Sequence, residues 1–195
     1  MDKEECKIKN YIEESIQSKI QIIRDFLCSH SEITVRVVAE SKYNDCIQNI
    51  VIDKKEESKP LCIITLIDSD KNFAEEVSDY VRILLVSFGY EVLNEEKKIW
   101  KVPECMLSHV SELFDLIYKN SKLKLFYEHD SINNWSKIIL SSHDKSILLV
   151  NLKSMTVKYV HVVEKQLSLL IASMGKTIEA TDGTKLNMYG CIELF

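Results

Sequence analysis

At 195 residues, the chain is long enough for one large domain or two small ones, and 46% hydrophobic with 28% charged residues is an ordinary globular composition. No apolar run approaches the roughly 18 residues that cross a bilayer, and the charged start Met1-Asp2-Lys3-Glu4-Glu5 leads into no apolar segment typical of a secretion signal. A net charge of −5 disfavours a phosphate-binding face. These features predict an intracellular, cytoplasmic protein without a membrane partner.

The first half of the chain predicts the element order α-β-β-β-α-β-β. Apolar residues recur every three or four positions from Lys3 to Leu27, which predicts an amphipathic helix buried against a sheet. Asp68 and Asp70 are candidate caps of a second helix that ends at Gly89. The predicted strands are 33–42, 46–53 and 61–67, followed by two short strands within 90–102.

The second half of the chain repeats this order. Pro103 suits the first turn of a helix, and an Asp-Gly pair at Asp182 predicts the turn of a closing hairpin. Between them lie the predicted strands 123–128, 135–140 and 147–152 and a long helix at 156–174. The tail Met188–Phe195 fits either a last strand or a docking peptide.

The two halves also match at fixed offsets in residue number. An offset of 86 places Gly89 on Gly175, and an offset of 88 places Val35, Val37 and Glu40 on Leu123, Leu125 and Glu128. We therefore predict an α+β fold of two tandem α-β-β-β-α-β-β units, residues 1–102 and 103–195, each with an antiparallel sheet packed by helices. The alternative is a chance likeness of two supersecondary patterns.

This element order is similar to that of secretion-chaperone-like folds, and a duplicated helix-and-sheet unit resembles the saddle of the TATA-binding protein. The first resemblance implies a chaperone-like, protein-binding role, and the second implies a nucleic-acid-binding or regulatory protein. Both cover only the order of elements, because no motif of either family stands in the sequence.

Glu40-Ser41-Lys42 resembles the E-x-K motif of a large nuclease superfamily, in which the glutamate shares Mg²⁺ with an aspartate of the preceding strand. The resemblance implies a degenerate magnesium-dependent nuclease. However, the nearest strand acid, Asp53, should lie roughly 15 Å or more from Glu40 in a tight hairpin, which is too far to share one ion. We therefore interpret Glu40, Lys42 and Glu128 as solvated charges at strand ends.

The histidines offer no better metal site. His129-Asp130 and His143-Asp144 are expected at opposite ends of one hairpin, and His161 with Glu164 supplies only two ligands. The six cysteines form no C-x-x-C pair, so we expect reduced and mostly buried thiols. The sequence thus predicts no catalytic, cofactor-binding or metal-binding residues and no cofactor.

We expect a non-enzymatic protein that binds another macromolecule, with a second protein as partner in an adaptor or chaperone-like role. A protein binder should expose an apolar patch. The alternative of nucleic-acid binding requires lysines such as Lys122, Lys124 and Lys137 on one face. The alternative of a nuclease-like enzyme requires a pocket in which acids converge.

Overall fold

The computed structural model describes residues 3–40, 47–54, 60–94, 96–143, 145–153 and 157–193. Within them it contains four α-helices and two mixed sheets, which confirms the predicted α+β class. The helices are α1 (Lys3–Ser29), α2 (Lys71–Ser87), α3 (Leu107–Lys119) and α4 (Val157–Ser173). The strands of the first sheet are β1 (Glu32–Ala39), β2 (Ile47–Asp53), β3 (Leu61–Ile67) and β4 (Glu91–Leu93). Those of the second sheet are β5 (Lys122–Asp130), β6 (Trp135–Ser142), β7 (Lys145–Lys153), β8 (Thr177–Glu179), β9 (Lys185–Asn187) and β10 (Gly190–Glu193).

Each sheet is built on a three-stranded antiparallel meander. The strand orders are β3-β2-β1-β4 in the first sheet and β10-β9-β8-β5-β6-β7 in the second. The strand after each long helix pairs in parallel, β4 with β1 and β8 with β5, because the helix carries the chain back across the sheet. The sheets are therefore mixed, whereas the sequence predicted antiparallel ones.

The long helices begin and end where local chemistry dictates. Asp70 caps α2 by accepting a hydrogen bond from the Phe73 N–H at 2.8 Å. Beyond the C-termini of α2 and α4 stand Gly89 and Gly175, with φ of +92° and +88°. That left-handed conformation strains a residue with a Cβ atom, so glycine is favoured at both stops.

The two halves correspond in hydrogen-bond register as well as in element order. Helices α2 and α4 have equal length at an offset of 86, and both meanders contain a β-bulge at one equivalent place, beside Ile50 in β2 and Ile138 in β6. The first strands, however, align at an offset of 90, because Val35 pairs with Ile52 while Leu125 pairs with Leu140. The predicted offset of 88 was wrong there. A slip of two residues preserves the inward and outward alternation, so the pattern could not detect it.

The halves pack across one another. Helix α1 packs on α4 and β10, and α3 packs on α2, while α4 and α2 also lie against β3 and β7 of the opposite half. The Thr65 N–H of β3 donates to the side chain of Gln166 on α4 at 3.0 Å. The first helix therefore packs mainly on the opposite half, which the sequence did not predict.

One hydrophobic core runs through both halves. It includes Ile20, Leu84, Leu125 and Leu167, all without solvent exposure. None of the helices in the described residues is long and apolar enough to cross a membrane.

Candidate functional site

The last strands of the second half form a closed corner. Strands β8 and β9 make the hairpin predicted around Asp182, and Glu164 of α4 fixes its turn from below. The fully buried carboxylate of Glu164 accepts hydrogen bonds from the Thr181 N–H at 2.7 Å and the Thr181 hydroxyl at 2.6 Å. This glutamate, which the sequence offered only as half of a metal site with His161, stabilises the hairpin.

Strand β10 completes this corner and packs against the first helix. It pairs antiparallel with β9 and includes Gly190–Glu193, half of the tail that the sequence left open between strand and peptide. Gly190 adopts a φ of +111°, and a Cβ atom at this position would lie 3.2 Å from the Cβ atom of Gln17 on α1. The strand and the helix are therefore in close contact.

The first half ends differently at the equivalent place. The Trp100 N–H donates to the Val92 carbonyl at 2.8 Å and the Asn94 N–H to the Lys98 carbonyl at 2.9 Å. Between these bonds, Leu93 and Ile99 form an isolated antiparallel bridge rather than the second strand that the sequence predicted. At the offset of 86, residues 99–101 stand where β9 stands in the second half.

Residues 99–101 form what we call the open edge. In an antiparallel pair, the residues between two hydrogen-bonded pairs direct their backbone N–H and C=O groups away from the partner strand. Ile99 is such a residue, and its side chain is 60% exposed. No strand pairs beyond Ile99 within the described residues. Among the strands that the structure describes, the first half thus has no counterpart of β10.

Two features explain why the edge stays open and ordered. The chain turns at Pro103 into a 3-10 turn (Glu104–Met106) and then α3, so it does not return as a hairpin. The ring of Trp100 packs on the core beneath the guanidinium of Arg82, 5.9 Å from the ring centroid, and Arg82 also donates to the Val35 carbonyl at 2.9 Å. The open edge is therefore held from one side.

Helix α3 carries an exposed apolar side, which we call the α3 stripe. It consists of Leu107, Phe114 and Tyr118, with 54%, 47% and 77% of each residue exposed. These positions are seven and four residues apart, so they lie along one side of the helix. The rings of Phe114 and Tyr118 stack with their centroids 5.7 Å apart.

One residue of the α3 stripe, Leu107, occupies the position that β10 contacts on the equivalent helix. Helices α1 and α3 correspond at an offset of 90, because His30 and Asn120 both bond the carbonyl four residues earlier, at 2.7 and 2.8 Å. The same offset places Leu107 at the position of Gln17, which touches β10. Where the second half has β10 beside α1, the described residues thus show an unpaired strand edge in the first half and an exposed Leu107 on α3.

Charged side chains of both signs surround the open edge. Lys98 pairs with Glu96 at 2.9 Å, whereas Lys97 and Lys101 have no ion pair within the described part of the chain. Because Glu91 and Glu104 are also exposed in this segment, positive and negative charges are balanced around the edge.

The lysines proposed as a nucleic-acid signature do lie on one face. Lys124 pairs with Ser141 and Glu128 with Lys137, so Lys122, Lys124 and Lys137 all point to the outer side of the second sheet. Lys124 is neutralised by Glu179 at 3.2 Å, and the amine of Lys137 lies over the Trp135 ring at 4.6 Å. A groove of about 760 Å³ runs beside Lys122 and Lys124.

The E-x-K segment gains no metal partner. Asp53 pairs with Thr34, six residues before Glu40 (40 − 34), and forms an ion pair with Arg36 at 2.8 Å. Glu40 is exposed, and Lys42 lies outside the described residues. Glu32 and Asp53 line a second groove, but no group of three potential metal ligands occurs anywhere in the described ranges.

The histidine pairs are likewise separated. His129 bonds Ser136 at 2.9 Å and His143 bonds Ser142 at 3.0 Å, at opposite ends of β6. Asp130 uses its carboxylate to accept hydrogen bonds across the β5–β6 turn, and those from Asn133 lower the pKa of this group to about 2. Asp144 lies outside the described residues.

The cysteines differ from the prediction of burial. Cys28, Cys62 and Cys105 are exposed and Cys191 is half-buried, so that prediction was wrong for these four. Cys6 and Cys46 lie outside the residues whose side chains the structure describes.

Comparison of the chain with protein-family models, curated proteins and solved structures gave no match. The resemblances to secretion-chaperone-like folds and to the TATA-binding protein therefore extend no further than element order, and the site must be interpreted from its own geometry.

Proposed function

We propose that this chain is a non-enzymatic protein-interaction module that binds another protein through the α3 stripe and the open edge together. The observation that carries the proposal is the exposure of three large apolar side chains along one side of α3, one of which, Leu107, holds the position of the β10 contact Gln17 on α1. Scattered apolar residues on a surface are ordinary, but apolar residues aligned on one side of a helix that follows an unpaired strand edge in the chain favour a binding surface.

The chemistry of the α3 stripe supports a protein partner. Phe114 and Tyr118 are stacked aromatic residues on a helix whose opposite side is fixed in the core by Leu113 and Ile117. Rigidly held aromatic side chains provide large contact area at low entropic cost, and they are enriched among the residues that dominate protein interfaces. A partner that covered them would remove this apolar area from water.

The proposal is tested by affinity capture from the native cell, followed by mass spectrometry, with two matched variants. The double variant Phe114→Ser/Tyr118→Ser removes the rings of the α3 stripe. The control Tyr11→Ser/Ile22→Ser removes exposed apolar side chains from α1 instead. Because all four substituted side chains are exposed, the free energy of unfolding of both variants should lie within about 1 kcal/mol of the wild-type value.

The expected result is that the α3 variant loses the captured protein by about tenfold or more, while the α1 variant retains it. If the wild type and the α3 variant capture the same proteins in equal amounts, the α3 stripe is not the binding surface and the proposal fails.

The shared face of Lys122, Lys124 and Lys137 supports a second proposal, nucleic-acid binding by the outer side of the second sheet. It is the weaker one, because Glu179 and Glu128 offset two of the three charges in this sheet. The test is titration of single-stranded RNA at several salt concentrations, comparing the wild type with Lys122→Glu/Lys137→Glu. Binding that is independent of salt, or unchanged in the variant, contradicts this proposal.

A further inference from the structure

We infer that the open edge takes up an extended segment of the partner protein as an added β-strand, in the place that β10 occupies in the second half. This inference rests on the proposed function and adds its mode of binding, the direction of the bound segment and its chemistry. Strand addition to a sheet edge is a general way in which proteins recognise peptides, since main-chain hydrogen bonds supply affinity and side-chain pockets supply specificity.

The backbone of the open edge is arranged for such pairing. Trp100 uses its N–H to bond β4, and the neighbouring residues Ile99 and Lys101 alternate with it, so their N–H and C=O groups point outward. The equivalent residues of β9, Lys185 and Asn187, pair with β10. The backbone groups that pair with β10 in the second half thus have equivalents at Ile99 and Lys101, and no described strand pairs with these equivalents.

The pairing of β10 gives the direction and register of the bound segment. Gly190 lies opposite Asn187, Cys191 opposite Leu186 and Glu193 opposite Lys185, with a bulge between Cys191 and Glu193. Moved to the first half by the offset of 86, a bound segment runs antiparallel to residues 99–101. Its residues then lie opposite Lys101, Trp100 and Ile99 in turn.

The surroundings define the chemistry of the segment. The residue opposite Lys101 must be small, because its counterpart Gly190 is in close contact with Gln17 and the bulkier Leu107 holds the position of Gln17 here. The sequence of β10 contains one acid, Glu193, and we expect an acid in the bound segment as well. Next to the α3 stripe, the segment should also carry an apolar residue. We therefore expect a small residue followed by mixed apolar and acidic ones.

The sequence of the chain's own tail has this chemistry, so a synthetic peptide of residues 188–195 is a suitable probe. It is added to the isotopically labelled full chain, in which β10 still occupies its own place, and amide exchange is followed by NMR. At a peptide concentration of about 1 mM, amide exchange of Ile99 and Lys101 should slow by about tenfold or more. Exchange of Lys185 and Asn187 should not change.

Two N-methylated peptides provide the matched control. In the first peptide, the methyl group is on the backbone nitrogen of the glycine that corresponds to Gly190, where it blocks the hydrogen bond to the open edge. In the second peptide, the methyl group is on the backbone nitrogen of the next residue, which points away from the open edge. The first peptide should give no protection and the second should protect as the unmodified peptide does. The variant Leu107→Lys should also weaken the protection.

Three results would overturn the inference. The first is no protection of Ile99 and Lys101 at saturating peptide, and the second is equal protection by both methylated peptides. The third is protection that rises with protein concentration without peptide, which would identify a second copy of this chain as the occupant. In each case the capture experiment with the α3 variant still decides whether the corner binds a protein, so the two proposals fail separately.

Discussion

The last strands of the two halves can be compared directly. Both halves contain a three-stranded meander, a helix that crosses the sheet and a parallel strand, and they differ after that strand. In the second half the chain returns twice, as β9 and β10, and Glu164 anchors the hairpin from within the core. In the first half the equivalent of β9 stops at Lys101, and Ser78 stands where Glu164 stands, with its hydroxyl donating to the carbonyl and the side chain of Glu75 on its own helix. Comparison with the second half therefore shows what the described part of the first half is missing: a strand equivalent to β10 and a buried carboxylate equivalent to that of Glu164.

This comparison shows that the same supersecondary unit can end either with its outer strand edge paired or with that edge left unpaired. A strand edge without a partner is a liability that proteins usually cover or protect with charge. Here the second half covers its edge with β10, whereas no described strand covers the edge of the first half, and the chain continues from it into α3 with its exposed apolar side. The difference in covering, rather than a difference in fold, distinguishes the two corners.

The largest expected effect is loss of the buried anchor of the closed corner. Glu164→Ala leaves the Thr181 N–H and hydroxyl without their acceptor, and it should lower the free energy of unfolding by about 3 kcal/mol in urea denaturation. The matched control is Ser78→Ala at the equivalent position of α2, which removes only the local hydrogen bonding to Glu75 and should cost about 1 kcal/mol or less. Equal losses would mean that Glu164 is not the anchor of this corner.

A second variant separates strain at β10 from its contact with α1. Gly190→Ala should cost about 2 kcal/mol, because a Cβ atom is strained at positive φ and also meets Gln17. Gly183→Ala, at a φ of +83° with open space around it, isolates the backbone strain and should cost about 1 kcal/mol. If both variants unfold at the same urea concentration, β10 is not in tight contact with α1.

The smallest expected effect is a pH dependence where α3 meets the second sheet. Burial lowers the pKa of His109, whose Nε2 atom is buried without a hydrogen-bond partner. The histidine therefore binds a proton more readily in the unfolded state than in the folded state. The stability that the neutral His109 contributes is fully present above its ordinary pKa of 6.5, and it is lost as pH falls through the folded-state pKa.

The measurement for His109 is the urea midpoint between about pH 7.5 and pH 5 in the wild type and in His109→Phe. The wild type should lose more stability than the variant over this interval. The same slope in both chains would contradict the assignment to His109.

Much of the fold follows from the sequence, for identifiable reasons. The strands from Ile47, Leu61 and Trp135 and the helix ending at Gly89 were predicted because alternation, helical spacing and a glycine stop are local signals. The bulges in both meanders and the crossing of the halves were not predicted, since they depend on contacts between distant residues.

The candidate site was harder to predict. The offset of 86 already places Lys185 on Ile99, and Pro103 interrupts the first half where the second half returns through Gly190. These signals were present, but short strands and one proline do not specify which backbone groups remain unpaired. The burial of Glu164 carried no local signal at all, because a glutamate at helical spacing beside His161 is equally consistent with a solvated pair.

The most direct test of the central claim is the rate of amide hydrogen exchange at Ile99 and Lys101 against Lys185 and Asn187 in the free protein. An open edge in the first half and a closed one in the second predict that the first two amides exchange about a hundredfold or more faster than the last two. Equal protection of all four amides would show that the edge of the first half is covered, and it would contradict the claim that residues 99–101 form an open edge.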